Sequence, residues 1–331
     1  MKDAVPEMLT QARRVPMPVG LLTGRRTWLR RLVSWGTAAI NRAIDLLPVG
    51  RWLHMRILNA LVLTRVEMPL VPRSRGLHGI RVAFLTDLHA GSFMNERDLR
   101  RVFARVAAER PHLVLFGGDL INTRERELLL LREGLRRLSP PLGMFAVPGN
   151  HDLFWGKDLG LWCAFLEEHG VKVLCNRGVR LTWNGTSFWL CGVDDLTEGD
   201  PDLRLALAGR GEDEPTILLS HHPDYFFEAA ANGVDLTLSG HTHGGQIRLR
   251  GKAPLHHSKF DYDQGWFVEG DSRLYVSRGI GVTFLPIRID APPEVPIFTM
   301  VAQDRAAPRR ESIVGEQAPC KQLLTTPSDA R

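Results

Sequence analysis

The sequence predicts an α/β protein with two sheets, and three observations carry that reading. Short apolar runs bounded by Gly, Pro or polar turn residues recur along the chain, as buried strands do. Segments with helical spacing separate the first of them. After residue 170 the pattern changes to closely spaced short runs joined by turn signals, which reads as the start of a second sheet.

Taken in order, Val82 to Thr86, Leu113 to Gly118 and Met144 to Gly149 are the first strand-like runs. Between the first two, Asn95 suits an N-cap, and Leu99, Val102, Phe103 and Val106 keep helical spacing until Pro111. A second helix is expected after Asp119, with Leu128, Leu131, Leu135 and Leu138 on one side and Pro140-Pro141 as its stop. These helices should cover one face of a sheet. A third is expected from 157, carrying Leu161, Trp162, Phe165 and Leu166 and ending at Gly170. Val171 to Leu174, Val179 to Trp183 and Ser187 to Val193 then read as the first strands of the second sheet, with Asn184-Gly185 a strong hairpin signal. A helix capped by Asp200 with Pro201 at its first position follows, then an acidic loop at 212–214. The last runs, Arg273 to Ser277, Phe284 to Ile289 and Pro296 to Val301, close the fold. No internal repeat is visible.

With 331 residues and 44% hydrophobic content, the chain can bury one sizeable core. The net charge of +5 is unevenly placed. Residues 1–81 hold 14 Lys and Arg against 4 Asp and Glu, an excess of 10, whereas the remainder holds 28 against 33. A basic groove for nucleic acid on the remainder of the chain is therefore not expected, and a basic N-terminal segment that meets an anionic surface is. Gly24-Arg25-Arg26-Thr27-Trp28-Leu29-Arg30 resembles a twin-arginine export motif, but the apolar stretch from Leu32 to Ile40 is short and no small-x-small cleavage site follows. No run has the roughly 18 apolar residues of a membrane span. Leu32, Val33, Trp35, Ile40, Ile44 and Leu47 can share an apolar face edged by arginines, and Trp52 to Leu61 repeats the apolar-basic character. Two such helices suit either an interfacial membrane anchor, which we expect on the cytoplasmic face, or a hairpin packed on the protein's own surface. The expected organisation is a basic, flexible N-terminus (1–26), an amphipathic helical segment (27–62), a catalytic domain (63–302) and a polar, disordered tail (303–331). Cys163, Cys175, Cys191 and Cys320 form no Cys-x-x-Cys pair, and Cys191 reads as a small buried hydrophobe.

The functional signal lies at the ends of the strand-like runs. Val82 to Thr86 leads into Asp87-Leu88-His89, and Leu113 to Gly118 into Asp119. Met144 to Gly149 leads into Asn150-His151-Asp152, Thr216 to Ser220 into His221-His222, and Val234 to Leu238 into Ser239-Gly240-His241-Thr242-His243-Gly244-Gly245. Open α/β sheets place their sites beyond the carboxyl ends of such strands, so five strand ends can meet in one crevice. The alternation in Asp87-Leu88-His89 and His241-Thr242-His243 suits extended backbone that turns both polar side chains inward.

This ordered set resembles the calcineurin-like metallophosphoesterase superfamily over about residues 80 to 300. The stretch Gly240 to Gln246, with Tyr275 to Gly281 and Leu285 to Arg288, is similar to a bacterial branch of membrane-associated or exported phosphodiesterases that includes a UDP-2,3-diacylglucosamine diphosphatase. The resemblance implies a four-layer αββα sandwich of two mixed β-sheets flanked by helices. It implies two metal ions, one held by Asp87, His89 and His243 and the other by Asn150, His221 and His241, with Asp119 as the bridge. Carboxylate, amide and imidazole ligands without thiolate suit Mn²⁺, Fe or Zn²⁺. His151 would then be the general acid at the leaving oxygen, its alternative being a structural histidine behind a ligand. Asp152 would orient His151 or a ligand, or serve as a turn residue. Either of His221 and His222 suits the metal, and the resemblance favours His221. Arg278 and Arg288 suit a phosphate clamp or ion pairs, Gln246 suits a pocket wall, and His256-His257 suits a solvated loop.

The function expected from this reading is hydrolysis of a phosphodiester or pyrophosphate, lipid-linked or nucleotide-sugar, by a metal-activated hydroxide at an anionic membrane surface. A protein Ser/Thr phosphatase is disfavoured because Gly118-Asp119-Leu120-Ile121-Asn122 lacks the downstream Asp-Arg of that branch. A nuclease or a phosphomonoesterase is an alternative, although a nuclease would lack a basic track for phosphates. The non-enzymatic alternative is a metal-binding scaffold of the same fold.

Overall fold

The computed structural model describes residues 47–302, except 71, 92, 154–158, 255–257 and 284, together with residues 36, 43 and 44. The twin-arginine-like motif, His256-His257, the C-terminal tail and most of the 27–47 stretch lie outside the described residues.

Two six-stranded sheets form the centre. The first has the order β1 (Val62–Leu70), β12 (Glu294–Ala302), β2 (Arg81–Leu85), β3 (Leu113–Phe116), β4 (Met144–Ala146), β5 (Val171–Val173). Strands β2 to β5 are parallel, and β12 runs antiparallel to β2. The second sheet has the order β10 (Gly265–Glu269), β11 (Ser272–Val276), β9 (Leu236–Ser239), β8 (Thr216–Leu219), β7 (Thr186–Gly192), β6 (Arg177–Trp183). Its four central strands are parallel and both edge strands antiparallel.

The period of two along each strand builds the layers. Val82 and Phe84 of β2 meet Phe188 and Leu190 of β7, Leu219 of β8 and Leu238 of β9 in the core between the sheets. Ala83 and Leu85, one residue out of phase, face the other way, onto Leu99, Val102, Phe103 and Val106 of a helix at Glu96–Ala108. In the second sheet, Trp189, Cys191 and Leu218 likewise turn outward to Leu203, Phe226 and Ala229. The result is the expected sandwich of two mixed sheets between helical layers.

Local expectations hold in most places. Asn95 caps the helix at Glu96–Ala108, its side chain accepting the N–H of Asp98 at 3.1 Å. Leu128, Leu131, Leu135 and Leu138 are all buried, although the backbone that carries them is a 3₁₀ stretch (Glu125–Leu131) that passes into a short α-helix (Arg132–Leu135). The Asn184-Gly185 turn has both residues at positive φ, 46° and 80°, as a two-residue hairpin requires. Cys191 is fully buried, and burial pushes its thiol up to about 12.

Three expectations are corrected, and two strands are added. Val171–Val173 closes the first sheet beside β4 rather than opening the second, which starts at β6. The helix after residue 200 is Leu203–Ala206, capped by Asp202, whose carboxylate accepts the N–H of Leu205. Residues 285–289 form no strand, and only Ile289 bridges Ile247. Finally, β1 and β10 have no apolar signature strong enough to read, because both are edge strands.

A helix at Pro48–Asn59 leads into β1 and packs on the first sheet's helical layer through Gly50, His54 and Leu58. Arg51 donates two hydrogen bonds to Asp98, at 2.7 and 3.0 Å. Its outer side leaves Leu47, Val49 and Trp52 exposed, with the Arg56 guanidinium 5.0 Å above the Trp52 ring.

Candidate metal centre

All eight residues singled out in the sequence come together beyond the carboxyl ends of the parallel strands. The first sheet supplies Asp87 and His89 after β2, Asp119 after β3, and Asn150 and His151 from a short helix (Asn150–Leu153) after β4. The second supplies His221 after β8, and His241 and His243 after β9. The site therefore spans the seam between the sheets.

The backbone here is not extended. Asp87 (φ 53°), His89 (46°), Asp119 (53°), His241 (70°) and His243 (53°) all occupy the left-handed region. Side chains with a Cβ avoid that region, at a cost on the order of 1 kcal/mol or more each. The polar residues do alternate inward, but left-handed turns, not a pleated strand, direct them there. Crossed backbone hydrogen bonds hold the conformation. Asp87 N–H donates to Gly118 O and His89 N–H to Asp119 O, both at 3.0 Å, while Gly240 N–H reaches His221 O at 3.1 Å.

Asp119 occupies the middle. Its Oδ2 lies 3.3 Å from His221 Nε2 and 3.6 Å from His89 Nε2. Its Oδ1 accepts the backbone N–H of His151 at 2.7 Å. On one side, His89 Nε2 and His243 Nε2 face each other at 3.1 Å, and Asp87 Oδ1 lies 3.4 Å from the latter. On the other, Asn150 Oδ1 lies 3.2 Å from His221 Nε2 and 2.9 Å from His241 Nδ1.

Several imidazoles are fixed by partners the sequence does not reveal. His221 Nδ1 meets Gly117 O at 2.7 Å, and His151 Nδ1 meets Asn122 O at 2.8 Å. A carbonyl only accepts, so each Nδ1 carries a proton, and in the neutral ring Nε2 keeps the lone pair. Arg288 is held by the carbonyls of Arg278, Gly281, Ala291 and His243, and donates to His243 Nδ1 at 3.1 Å. It is thus neither a phosphate clamp nor an ion-pair partner but a support behind His243. Arg278 forms the core ion pair, with Glu294. Gln246 ties the loop carrying Thr283 and Leu285 instead of lining a pocket. Asp152 accepts the N–H groups of Leu120, Ile121 and Gly149, tying the Asp119 and Asn150 loops together. The paired histidines separate: His221 enters the donor cluster, whereas His222 stacks on His241 at 4.1 Å.

Burial dominates the electrostatics. It pushes the Asp87 carboxyl up to about 7 and, aided by His151, holds His89 down to about 3. Burial, His89 and Arg288 keep His243 well below the usual histidine range. Burial opposes charge on Asp119 and His221 too, but their mutual attraction outweighs it, lowering the carboxyl and raising the imidazole.

These residues fit metal ions on chemical grounds. Asp87, His89 and His243, and separately Asp87, Asp119 and His221, offer donor atoms within 4.8 Å of one another. Two buried Nε2 atoms at 3.1 Å share one proton in the place that a cation with two nitrogen ligands would take. Neutral imidazoles with carboxylate and amide oxygens form a borderline donor set.

A two-sheet α/β sandwich that gathers such donors from five strand ends defines a metallophosphoesterase. The model of the calcineurin-like phosphoesterase family matches residues 80–245, half of the chain, and the chain belongs to this family. It is 31% identical over 240 residues to the uncharacterized metallophosphoesterase YkuE of Bacillus subtilis, covering 71% of this chain and 83% of that one. It is 32% identical to an uncharacterized metallophosphoesterase of Helicobacter pylori (strain ATCC 700392 / 26695), covering 69% of this chain and 61% of the relative. A transmembrane protein with metallophosphoesterase domain from Danio rerio is 30% identical over 246 residues, 70% of this chain and 55% of that one. The chain thus spans about six tenths or less of the last two relatives' length. Among solved structures, TT1561 of Thermus thermophilus aligns over 61% of this chain and 90% of that one, with 16% identity and a TM-score of 0.41.

Proposed function

We propose that the protein is a dinuclear phosphodiesterase or pyrophosphatase. The observation that carries this reading is the placement of Asp119, one carboxylate oxygen lying between His221 and His89 at 3.3 and 3.6 Å. In this reading Asp87, His89 and His243 would hold one ion and Asn150, His221 and His241 the other, with Asp119 a ligand shared by both, and Mn²⁺, Fe or Zn²⁺ would suit the donor set. Such a pair supplies an acidified water and neutralises phosphoryl oxygens.

The chain's own contribution is orientation and proton delivery. Gly117 O sets the ring of His221, and Asn122 O that of His151. A ring nitrogen of His151 lies within 4.8 Å of donor atoms of His89 and Asp119. It can hold a proton there and pass it to the leaving oxygen, a role worth roughly 10² to 10⁴ in rate. Asp87, His89, Asp119, Asn150, His221 and His243 are buried, which keeps these donors out of bulk water.

The substrate in this proposal is a lipid-linked or nucleotide-sugar diester or pyrophosphate such as UDP-2,3-diacylglucosamine, met at the cytoplasmic face of an anionic membrane. Supporting it are the N-terminal charge excess and the exposed Leu47, Val49 and Trp52 beside Arg56. No helix among the described residues is long and apolar enough to cross a membrane. The test is mass-spectrometric product analysis of Mn²⁺-supplied protein with UDP-2,3-diacylglucosamine and with an aryl phosphodiester. Release of UMP and the lipid phosphate, abolished by Asp119→Ala, is the expected result. Aryl diester cleavage alone would overturn the lipid substrate, and inactivity on both across several metals would favour the scaffold.

A further inference from the structure

At the other end of the first sheet lies a cleft of about 330 Å³ that the metal chemistry does not use. It is lined by Arg81, Arg110, His112 and Arg137, with Pro111, Pro140 and Pro141 among its walls, and its lining contains no carboxylate. Arg81 opens β2 and Asp87 follows its end, so at ~3.3 Å per residue the cleft lies about 20 Å from the metal centre.

Two of its lining side chains are placed before any ligand arrives. The Arg81 guanidinium donates two hydrogen bonds to Arg110 O, at 3.2 and 2.7 Å. The Arg81 backbone N–H donates to His112 Nδ1 at 2.9 Å, which leaves the neutral ring's proton on Nε2, and the ring rests against Trp183 at 4.5 Å. Arg110 and Arg137 have no ion-pair partner among the described residues. Glu109, next to Arg110, is engaged by Arg65 at 2.7 Å.

Arg110 also sits where chain geometry favours another residue. It follows the helix Glu96–Ala108 and its cap Glu109, at φ 48°, the left-handed position that glycine usually fills. The helices ending at Glu168 and Ala231 have Gly170 and Gly233 just beyond them in that conformation. An arginine here costs about 1 kcal/mol or more relative to glycine, and nothing in the fold requires its side chain.

We propose that the Arg81–Arg110–Arg137 cleft is a second anion site that binds a phosphoryl group, independent of the metal centre. Guanidinium forks suit phosphate oxygens. The phosphate can belong to a soluble molecule or a lipid headgroup.

The test compares the full-length wild type with an Arg110→Gly/Arg137→Ala double variant. Both are titrated calorimetrically with inorganic pyrophosphate and sedimented with phosphatidylglycerol or phosphatidylcholine vesicles. The metal centre is intact in both, so the cleft appears as the difference between them. Soluble-ligand binding in this cleft predicts a saturable event weakened at least about tenfold in the variant. Loss of phosphatidylglycerol sedimentation without a change in pyrophosphate binding places the phosphate on a lipid headgroup and also supports the site. A thermal scan of Arg110→Gly alone should show an unchanged or higher Tm, which excludes unfolding as the cause. Identical behaviour of wild type and double variant towards both ligands would overturn the proposal.

Discussion

The two ends of the same strands are built to different rules. Before β4 and β5 the left-handed backbone positions are occupied by Gly143 and Gly170, the residue that takes that conformation at least cost. Past the other ends, the same region is held by Asp87, His89, Asp119, His241 and His243. Apart from Arg110 before β3, the leading end of the first sheet is relaxed, and the other end stores strain in the side chains that gather at the seam. Strain of this kind persists only where surrounding bonds over-determine it, as the crossed N–H···O bonds of the Asp87, Asp119 and His241 loops do. Such a site is preorganised rather than assembled by its ligand.

That contrast can be broken in stages. The largest effect is expected at Asp119, where replacement by Ala should reduce phosphodiester hydrolysis to background while the thermal transition remains cooperative. His151→Gln should lower kcat by about 10² to 10⁴ and leave bound metal unchanged, as checked by steady-state kinetics beside metal analysis. Gly149→Ala sharpens the comparison, because the added methyl would meet the Asp119 carboxylate and backbone. Metal binding should be lost there, whereas Gly143→Ala, near only the Phe145 ring, should leave metal content unaltered and reduce stability. In the core between the sheets, Phe84 is fully buried, and Phe84→Ala should destabilise by about 3–5 kcal/mol in denaturant titrations without a specific effect on the metal centre below its transition.

The smallest effect is a pH dependence far from the seam. Burial alone would raise the Asp98 carboxyl, but His54 and Arg51 outweigh it and hold it down to about 2. A carboxyl depressed by folding stabilises above its unfolded pKa, near 3.8, and loses that contribution as pH falls towards 2. The stability difference between wild type and Asp98→Asn should therefore shrink across that window, from a value of up to about 2 kcal/mol.

The candidate site was more legible than the strands that frame it. Asp87, Asp119, Asn150, His221 and His241 each follow an apolar run, so local sequence marks both the strand and the residue delivered at its end. The conformation of those residues was not legible, since alternation in sequence looks the same whether the backbone is pleated or turned left-handed. Carbonyl partners such as Gly117 O and Asn122 O leave no trace in side-chain identity. Sheet membership was hidden for a related reason. Val171–Val173 is a good strand locally, but its place beside β4 is decided by a non-local pairing, and β1 finds β12 from the far end of the described chain. Arg288 stood out in sequence but its task did not, because only the structure shows four carbonyls and a histidine nitrogen around its guanidinium.

The most direct test of this account is metal stoichiometry, measured by elemental analysis after equilibration with Mn²⁺ or Zn²⁺ and gel filtration. Two ions per wild-type chain, with loss from the Asp119→Ala variant, is the predicted result. A single ion in the wild type, or two ions retained without Asp119, would contradict a centre bridged at that carboxylate.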